Sequence, residues 1–223
     1  MQYLFPKWEN KKRPLEAIIL FIGFYLLNFS LIRLVPEFAF IKQIQIPYFS
    51  DILITLIDVV SLGSLLVIMN KRQLTLSNTK FKIGIKRLVV TVLISFLLIS
   101  LTDIVFNSLF PMPPLAKLPV NERIVSFFIE FIIAVISGPI FEEVLFRGLL
   151  LKYVFTNRPI IGLFASTILF VLAHTPTDWT AYIYHGIPAI ILGIAYLYTE
   201  HFSVPVGVHM AINFVSHIKI KFF

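Results

Sequence analysis

The chain has 223 residues, is 58% hydrophobic, carries a formal net charge of +7 and contains no cysteine. A mean hydropathy of +0.89 excludes an ordinary soluble domain, and the missing cysteines exclude disulfides, thiolate nucleophiles and thiolate metal ligands. The positive charge does not point to nucleic acid, because the basic residues lie in loops beside apolar runs, where anionic lipid headgroups are the usual partners.

Windows of about 20 apolar residues mark membrane spans. They fall at Leu15–Leu34, Asp51–Asn70, Leu88–Phe110, Ile124–Phe155, Ile160–Thr175, Ala181–Phe202 and Ser203–Phe223. The predicted fold class is therefore all-α: a polytopic transmembrane helical bundle of about seven spans, within a range of six to eight. Met1–Pro14 is mixed and charged and shows no cleavable signal pattern, so the first helix reads as both signal and anchor. Basic residues cluster in the head (Lys7, Lys11, Lys12, Arg13) and after the second span (Lys71, Arg72, Lys80, Lys82, Lys86, Arg87). The positive-inside rule then places the N-terminus in the cytoplasm of a multi-pass cell-membrane protein. An odd number of spans puts the C-terminus outside, and Lys219 and Lys221 weigh against that. The Pro-rich stretch Pro111–Pro119 divides an N-terminal part, 1–123, with three spans from a C-terminal part, 124–223, with about four.

Within the apolar segments the polar residues divide unevenly: Asp58 and Asp103 are alone in their spans and Glu16 and Glu130 lie near the ends of theirs, whereas Glu142, Glu143, Arg147, His174, His209 and Asn213 all fall in the second part. The run SGPIFEEVLFRGLL holds Glu142, Glu143 and Arg147 in an otherwise apolar segment. Each such group costs roughly 2.5–3.5 kcal/mol at bilayer depth by insertion scales, so three so close together need a reason. Glu143 and Arg147 are four apart, acid before base, which is the favourable ion-pair spacing on one helix face. Glu142 lies about 100° around the helix and is left without that partner. Low dielectric and a like charge next door suit it to general acid/base work near neutral pH. Gly138-Pro139 just upstream removes a backbone donor and is expected to kink or open the helix one turn before Glu142.

Phe170 and His174 share a face of the next segment. Glu142 and His174 lie sixteen residues before and after Arg158. In an antiparallel hairpin of straight helices both would sit about 24 Å from the turn, so carboxylate and imidazole can meet. The last segment adds His209 and Asn213, again four apart. Two imidazoles, a carboxylate and an amide can thus converge from three helices. Several residues have plainer readings. Phe170 reads as packing, and His185, His201 and His217 as interfacial or core residues. Asp58 and Asp103 read either as helix-packing partners or as part of a polar cavity, and Trp179, Tyr182, Tyr184, Tyr196 and Tyr198 as an aromatic interface belt.

The spacing E-E-x-x-x-R, then F-x-x-x-H, then H-x-x-x-N, each on its own apolar segment, resembles the CAAX protease and bacteriocin-processing family of intramembrane proteases over roughly Val125–Val215. The resemblance implies an all-helical core that hydrolyses peptide bonds of membrane-associated peptides or proteins. It implies that Glu142 and His174 activate a water, that His209 and Asn213 bind the oxyanion, and that Glu143 and Arg147 hold the first helix in place. Eukaryotic members cut prenylated CAAX motifs; bacterial ones are linked to bacteriocin maturation or self-immunity. No cofactor is certain from the sequence. The family has been described both as metalloproteases and as glutamate-dependent proteases. A divalent metal such as zinc would need His174 and His209 plus a carboxylate, and the H-E-x-x-H spacing is absent. The alternative is a catalytically silent immunity or regulatory scaffold, or a transporter-like protein. A silent scaffold is expected to lose one of Glu142, His174 and His209, and a transporter to show paired broken helices in two halves. The sequence shows neither.

Overall fold

The computed structural model describes residues 13–35, 48–78, 83–111 and 119–222, which are helical with no strand. The helices are α1 Pro14–Leu34, α2 Phe49–Lys71, α3 Ile85–Leu109, α4 Val120–Val154, α5 Pro159–Ala173, α6 Trp179–Thr199 and α7 Ser203–Phe222. They occupy the predicted windows. Among the described residues five are long and apolar enough to cross a membrane, and α5 is a shorter apolar helix. α7, which carries His209, Asn213, His217 and two lysines, is not among the five. Lys7, Lys11, Lys12, Lys80, Lys82 and most of the Pro111–Pro119 boundary lie outside the described residues.

Local sequence sets the helix ends. Pro14 and Pro159 open α1 and α5, where a missing N–H costs nothing. Asp178 caps α6 by accepting from the backbone N–H groups of Thr180 at 2.8 Å and Ala181 at 3.1 Å. Between α5 and α6, Thr175 turns the chain in a left-handed conformation at φ 46°.

The bundle is arranged for lipid. α3 exposes Leu93, Leu97 and Leu101, and α5 exposes Ile160, Phe164 and Ile168, stripes of period four that face outward. The centre is the second half of α4, where Phe141, Val144, Leu145, Phe146 and Leu149 are fully buried. α1, α2, α5 and α6 contribute to the cluster around it. α5 approaches α4 closely at Gly162, where an added Cβ would lie 2.6 Å from Phe155 Cβ.

Two of the open readings of the sequence resolve differently. Asp58 is a packing residue, buried against α1 and accepting from Asn28 Nδ2 at 3.1 Å. Asp103 belongs to a cavity wall. The aromatic belt holds only in part: Trp179, Tyr182 and Tyr198 are exposed, but Tyr196 is fully buried and donates its hydroxyl to Leu76 O at 2.7 Å. Tyr184 lines the cavity with Asp103. Sequence alone did not separate these tyrosines, because belt and buried donor use the same amphipathic ring.

Replacing Asn28 by Ala removes the donor to a buried carboxylate and should lower stability by about 1–3 kcal/mol. Thermal denaturation of the detergent-solubilised protein checks it, with Asn28→Asp expected to be at least as damaging.

Candidate active site

The site begins with a break in α4. The helix is α-helical over Val120–Phe131, widens to a π-helix over Ile132–Ser137, returns to α over Gly138–Glu143, and widens again over Val144–Val154. The first widening follows from Gly138-Pro139. The Gly138 N–H reaches back to Ile133 O rather than Ala134 O, a register in which Pro139 would next be called on to donate to Ala134 O. Proline has no N–H. The orphaned carbonyl is met from α7, where Asn213 Nδ2 donates to Ala134 O at 2.8 Å. The predicted opening one turn before Glu142 is therefore present, and Asn213 completes its backbone.

Immediately after it come the two acids. Glu143 is wholly buried and lies 3.1 Å from Arg147 Nε, an ion pair that is not aligned as a hydrogen bond. Arg147, also buried, donates through Nη2 to Ala189 O on α6 at 2.8 Å and sits over the Phe170 ring at 5.1 Å. Phe170 packs edge-on against Phe146, with ring centres 5.3 Å apart. The other Glu143 oxygen accepts from His209 Nδ1 at 3.0 Å, a contact that helix periodicity could not show. Glu143 thus holds α4 to α7 while its arginine holds α4 to α6.

Glu142 points the other way, toward both imidazoles. Its Oε1 is 4.0 Å from His174 Nε2 and its Oε2 is 3.8 Å from His209 Nε2. Oε2 is buried and accepts no hydrogen bond among the described residues. His174 gives its Nδ1–H to Phe170 O at 2.9 Å; a carbonyl only accepts, so the neutral ring keeps its lone pair on Nε2, toward Glu142. The hairpin geometry brings Glu142 and His174 together even though α4 is π-widened where a straight α-helix was assumed. The turn at Phe155–Arg158 falls where expected.

A cavity of about 320 Å³ runs from His174, His209 and Asn213 past His185 and Tyr184 to Asp103. Glu142 is not on its wall. His185, expected to be interfacial or core, stacks on His174 with ring centres 4.3 Å apart. It matches none of the spaced motifs, so no sequence signal marked it. His217 is a core residue as read, buried and directed at Phe127 O at 3.1 Å, while His201 sits in the turn before α7 beside Ser203.

Two imidazole nitrogens and a carboxylate are donors of the kind zinc accepts, but tetrahedral zinc would draw its ligand atoms to roughly 3.3 Å from one another. The gaps of 3.8 and 4.0 Å exceed that, and no group of three or more metal-type side chains that fits an ion occurs among the described residues. The arrangement does not fit a metal, and no step below passes through one.

The fold and this geometry define a polytopic membrane protein whose polar centre lies among α4, α5 and α7. Residues 124–215, α4 through α7 with every residue of the site, match the family model of the Type II CAAX prenyl endopeptidase Rce1-like proteins. The chain is also similar to the membrane-embedded CAAX protease MroQ of Staphylococcus aureus (strain USA300), 32% identical over 108 residues that cover 45% of this chain and 42% of that protein. The match thus spans less than half the length of that relative. No solved structure matches the chain.

Two outcomes follow from these contacts. Arg147→Met leaves Glu143 buried without its cation and should cost about 3–5 kcal/mol in denaturation experiments, and adding Glu143→Gln should recover part of the loss. Asn213→Ala should cost about 1–2 kcal/mol by exposing the Ala134 carbonyl in apolar surroundings. Pro139→Ala, which restores a backbone N–H to that carbonyl, should partly rescue the Asn213→Ala protein in the same measurement.

Proposed function

We propose that this protein is a membrane-embedded endopeptidase that hydrolyses peptide bonds of membrane-associated peptides or proteins with water activated by Glu142. The observation that carries the reading is the Glu142 carboxylate facing two imidazole Nε2 atoms, its buried and unsatisfied Oε2 3.8 Å from His209 and its Oε1 4.0 Å from His174. Those gaps are too wide for direct hydrogen bonds and suit one shared water, donating to the carboxylate and to an imidazole. The Rce1-like match over α4–α7 and the likeness to a protein named as a CAAX protease support the same reading.

In this mechanism Glu142 takes a proton from the water as its oxygen attacks the scissile carbonyl carbon. His174, oriented by Phe170 O, holds the water on its other side. The carbonyl oxygen becomes an oxyanion. His209, when protonated at Nε2, donates to it while Glu143 at Nδ1 balances the charge on the ring; Asn213 supplies its second amide N–H, the first being held by Ala134 O. Collapse of the tetrahedral species breaks the C–N bond, and the leaving amine receives the proton that Glu142 took. The apolar shell around α4 keeps bulk water out and strengthens each electrostatic step.

The basic ends of the helices, with Arg13, Lys71, Arg72, Lys86, Arg87 and Arg158, are proposed to face the cytoplasm. Lys219 and Lys221, which weighed against an outer C-terminus, are each paired with an acid, Asp103 and Glu130, at 2.9 and 2.8 Å. Lipid is the partner of the exposed apolar faces. A role in bacteriocin maturation or self-immunity is a narrower proposal that rests on the family resemblance alone.

The test is cleavage of membrane-tethered peptides by the purified protein, with and without a chelator. Glu142→Gln should reduce the rate at least about 10²-fold while the variant melts with the wild-type profile. Undiminished cleavage by that variant would sink the mechanism, and loss of wild-type cleavage on chelation would require a metal that the mechanism does not use.

A further inference from the structure

The cavity has two polar ends, and only one is used by the chemistry above. At the other is Asp103, on α3, reached along a chain of rings. His185 stacks on His174 at 4.3 Å, Tyr184 meets His185 edge-on at 5.3 Å, and the Tyr184 hydroxyl donates to Asp103 Oδ1 at 3.1 Å. Asn107 Nδ2 donates to the same oxygen at 2.9 Å. Two neutral donors thus fix Asp103 through Oδ1. The second oxygen, Oδ2, has one partner among the described residues, the ammonium of Lys219 at 2.9 Å.

The two lysines at the end of α7 are not equivalent. Lys221 has a side chain 13% exposed and is held by both Glu130 and Ser126. Lys219 has a side chain 53% exposed, against 19% for its partner Asp103. An exposed ion pair contributes little net stability because water competes for both charges. Lys219 can therefore swing into solvent at small cost, whereas Asp103 stays anchored in the cavity wall. A carboxylate oxygen would then face the cavity with no donor. Apart from the histidines and Asp103, the cavity lining carries no ionisable group except the Tyr184 phenol.

We propose that Asp103 Oδ2 is a recognition subsite for a cationic side chain, lysine or arginine, of the polypeptide held in the cavity, and that Lys219 occupies it as an intramolecular stand-in until substrate displaces it. The proposal rests on the endopeptidase reading for its ligand being a substrate. It adds to that reading which residue of the substrate is recognised and where. A peptide whose scissile bond lies at Glu142, His174 and His209 would run along His185 and Tyr184, placing a residue a few positions from the cut against Asp103. A cation there exchanges one ion pair for another, while an acidic residue meets a fixed carboxylate.

The experiment measures binding separately from cleavage. The probe is a set of membrane-tethered peptides of one neutral sequence in which a single lysine is moved through successive positions, titrated onto the full-length Glu142→Gln protein. One lysine position should bind about tenfold tighter than the neutral peptide, as expected for a partly desolvated charge pair. Lys219→Met should widen that preference, and Asp103→Asn, which can keep the contacts at Oδ1, should remove it. Charge reversal by Asp103→Lys should transfer the preference to a peptide with glutamate at the same position. Equal binding of lysine-bearing and neutral peptides at every position, a preference that survives Asp103→Asn, or no binding of any peptide would each overturn the proposal. A lysine preference in binding without cleavage by the wild-type protein would leave the subsite standing and remove the peptidase reading instead.

Discussion

The structure depends on one buried ion pair. Glu143 and Arg147 are both out of contact with solvent, and in a low-dielectric interior neither charge is tolerable without the other. Each then makes one hydrogen bond to a different helix: Glu143 to His209 of α7, Arg147 to the Ala189 carbonyl of α6. A pair that begins as an intrahelical neutralisation becomes the clamp that fixes three helices. It also orients the neighbouring acid. Because adjacent residues on a helix point about 100° apart, fixing Glu143 inward against Arg147 leaves Glu142 directed at the two Nε2 atoms.

The second constraint is the backbone of α4. Gly138-Pro139 forces a wide turn, and a wide turn strands a carbonyl that apolar surroundings cannot satisfy. Asn213 answers that need from α7. His209 and Asn213 therefore each tie α7 to α4, one through an acid and the other through a main-chain oxygen, and both also line the cavity. Under the proposed mechanism, structural and chemical duties would be shared by the same side chains. A substitution at Asn213 or Glu143 accordingly perturbs stability and site geometry together, so activity alone cannot separate the two roles.

From the polar centre the cavity runs past His185, Pro188 and Leu192 to the far wall, where Asp103, Tyr184 and Asn107 form a second polar station. The acid and imidazoles near α4 and the carboxylate on α3 give the cavity two distinct polar ends. Under the proposed function, a polypeptide held within it would be oriented by charge as well as by shape.

Much of this was legible in the chain. Apolar windows located every described helix, and spacing of four paired Glu143 with Arg147, Phe170 with His174, and His209 with Asn213, because helical geometry makes such neighbours unavoidable. The glycine-proline pair announced the break in α4. What one-dimensional spacing cannot carry is contact between elements. The Glu143–His209 bond, the Asn213–Ala134 bond, the stacking of His185 on His174 and the division of the tyrosines between belt and interior all depend on how helices rotate about their axes. Burying the Glu143–Arg147 charge pair sets that rotation. The sequence by itself determined that there would be a helical membrane bundle whose Glu142, Glu143, Arg147, His174 and His209 lie within apolar segments after residue 124. The tertiary structure alone decided which side chains meet, since the cost of a buried charge is settled only when its partners arrive from other helices.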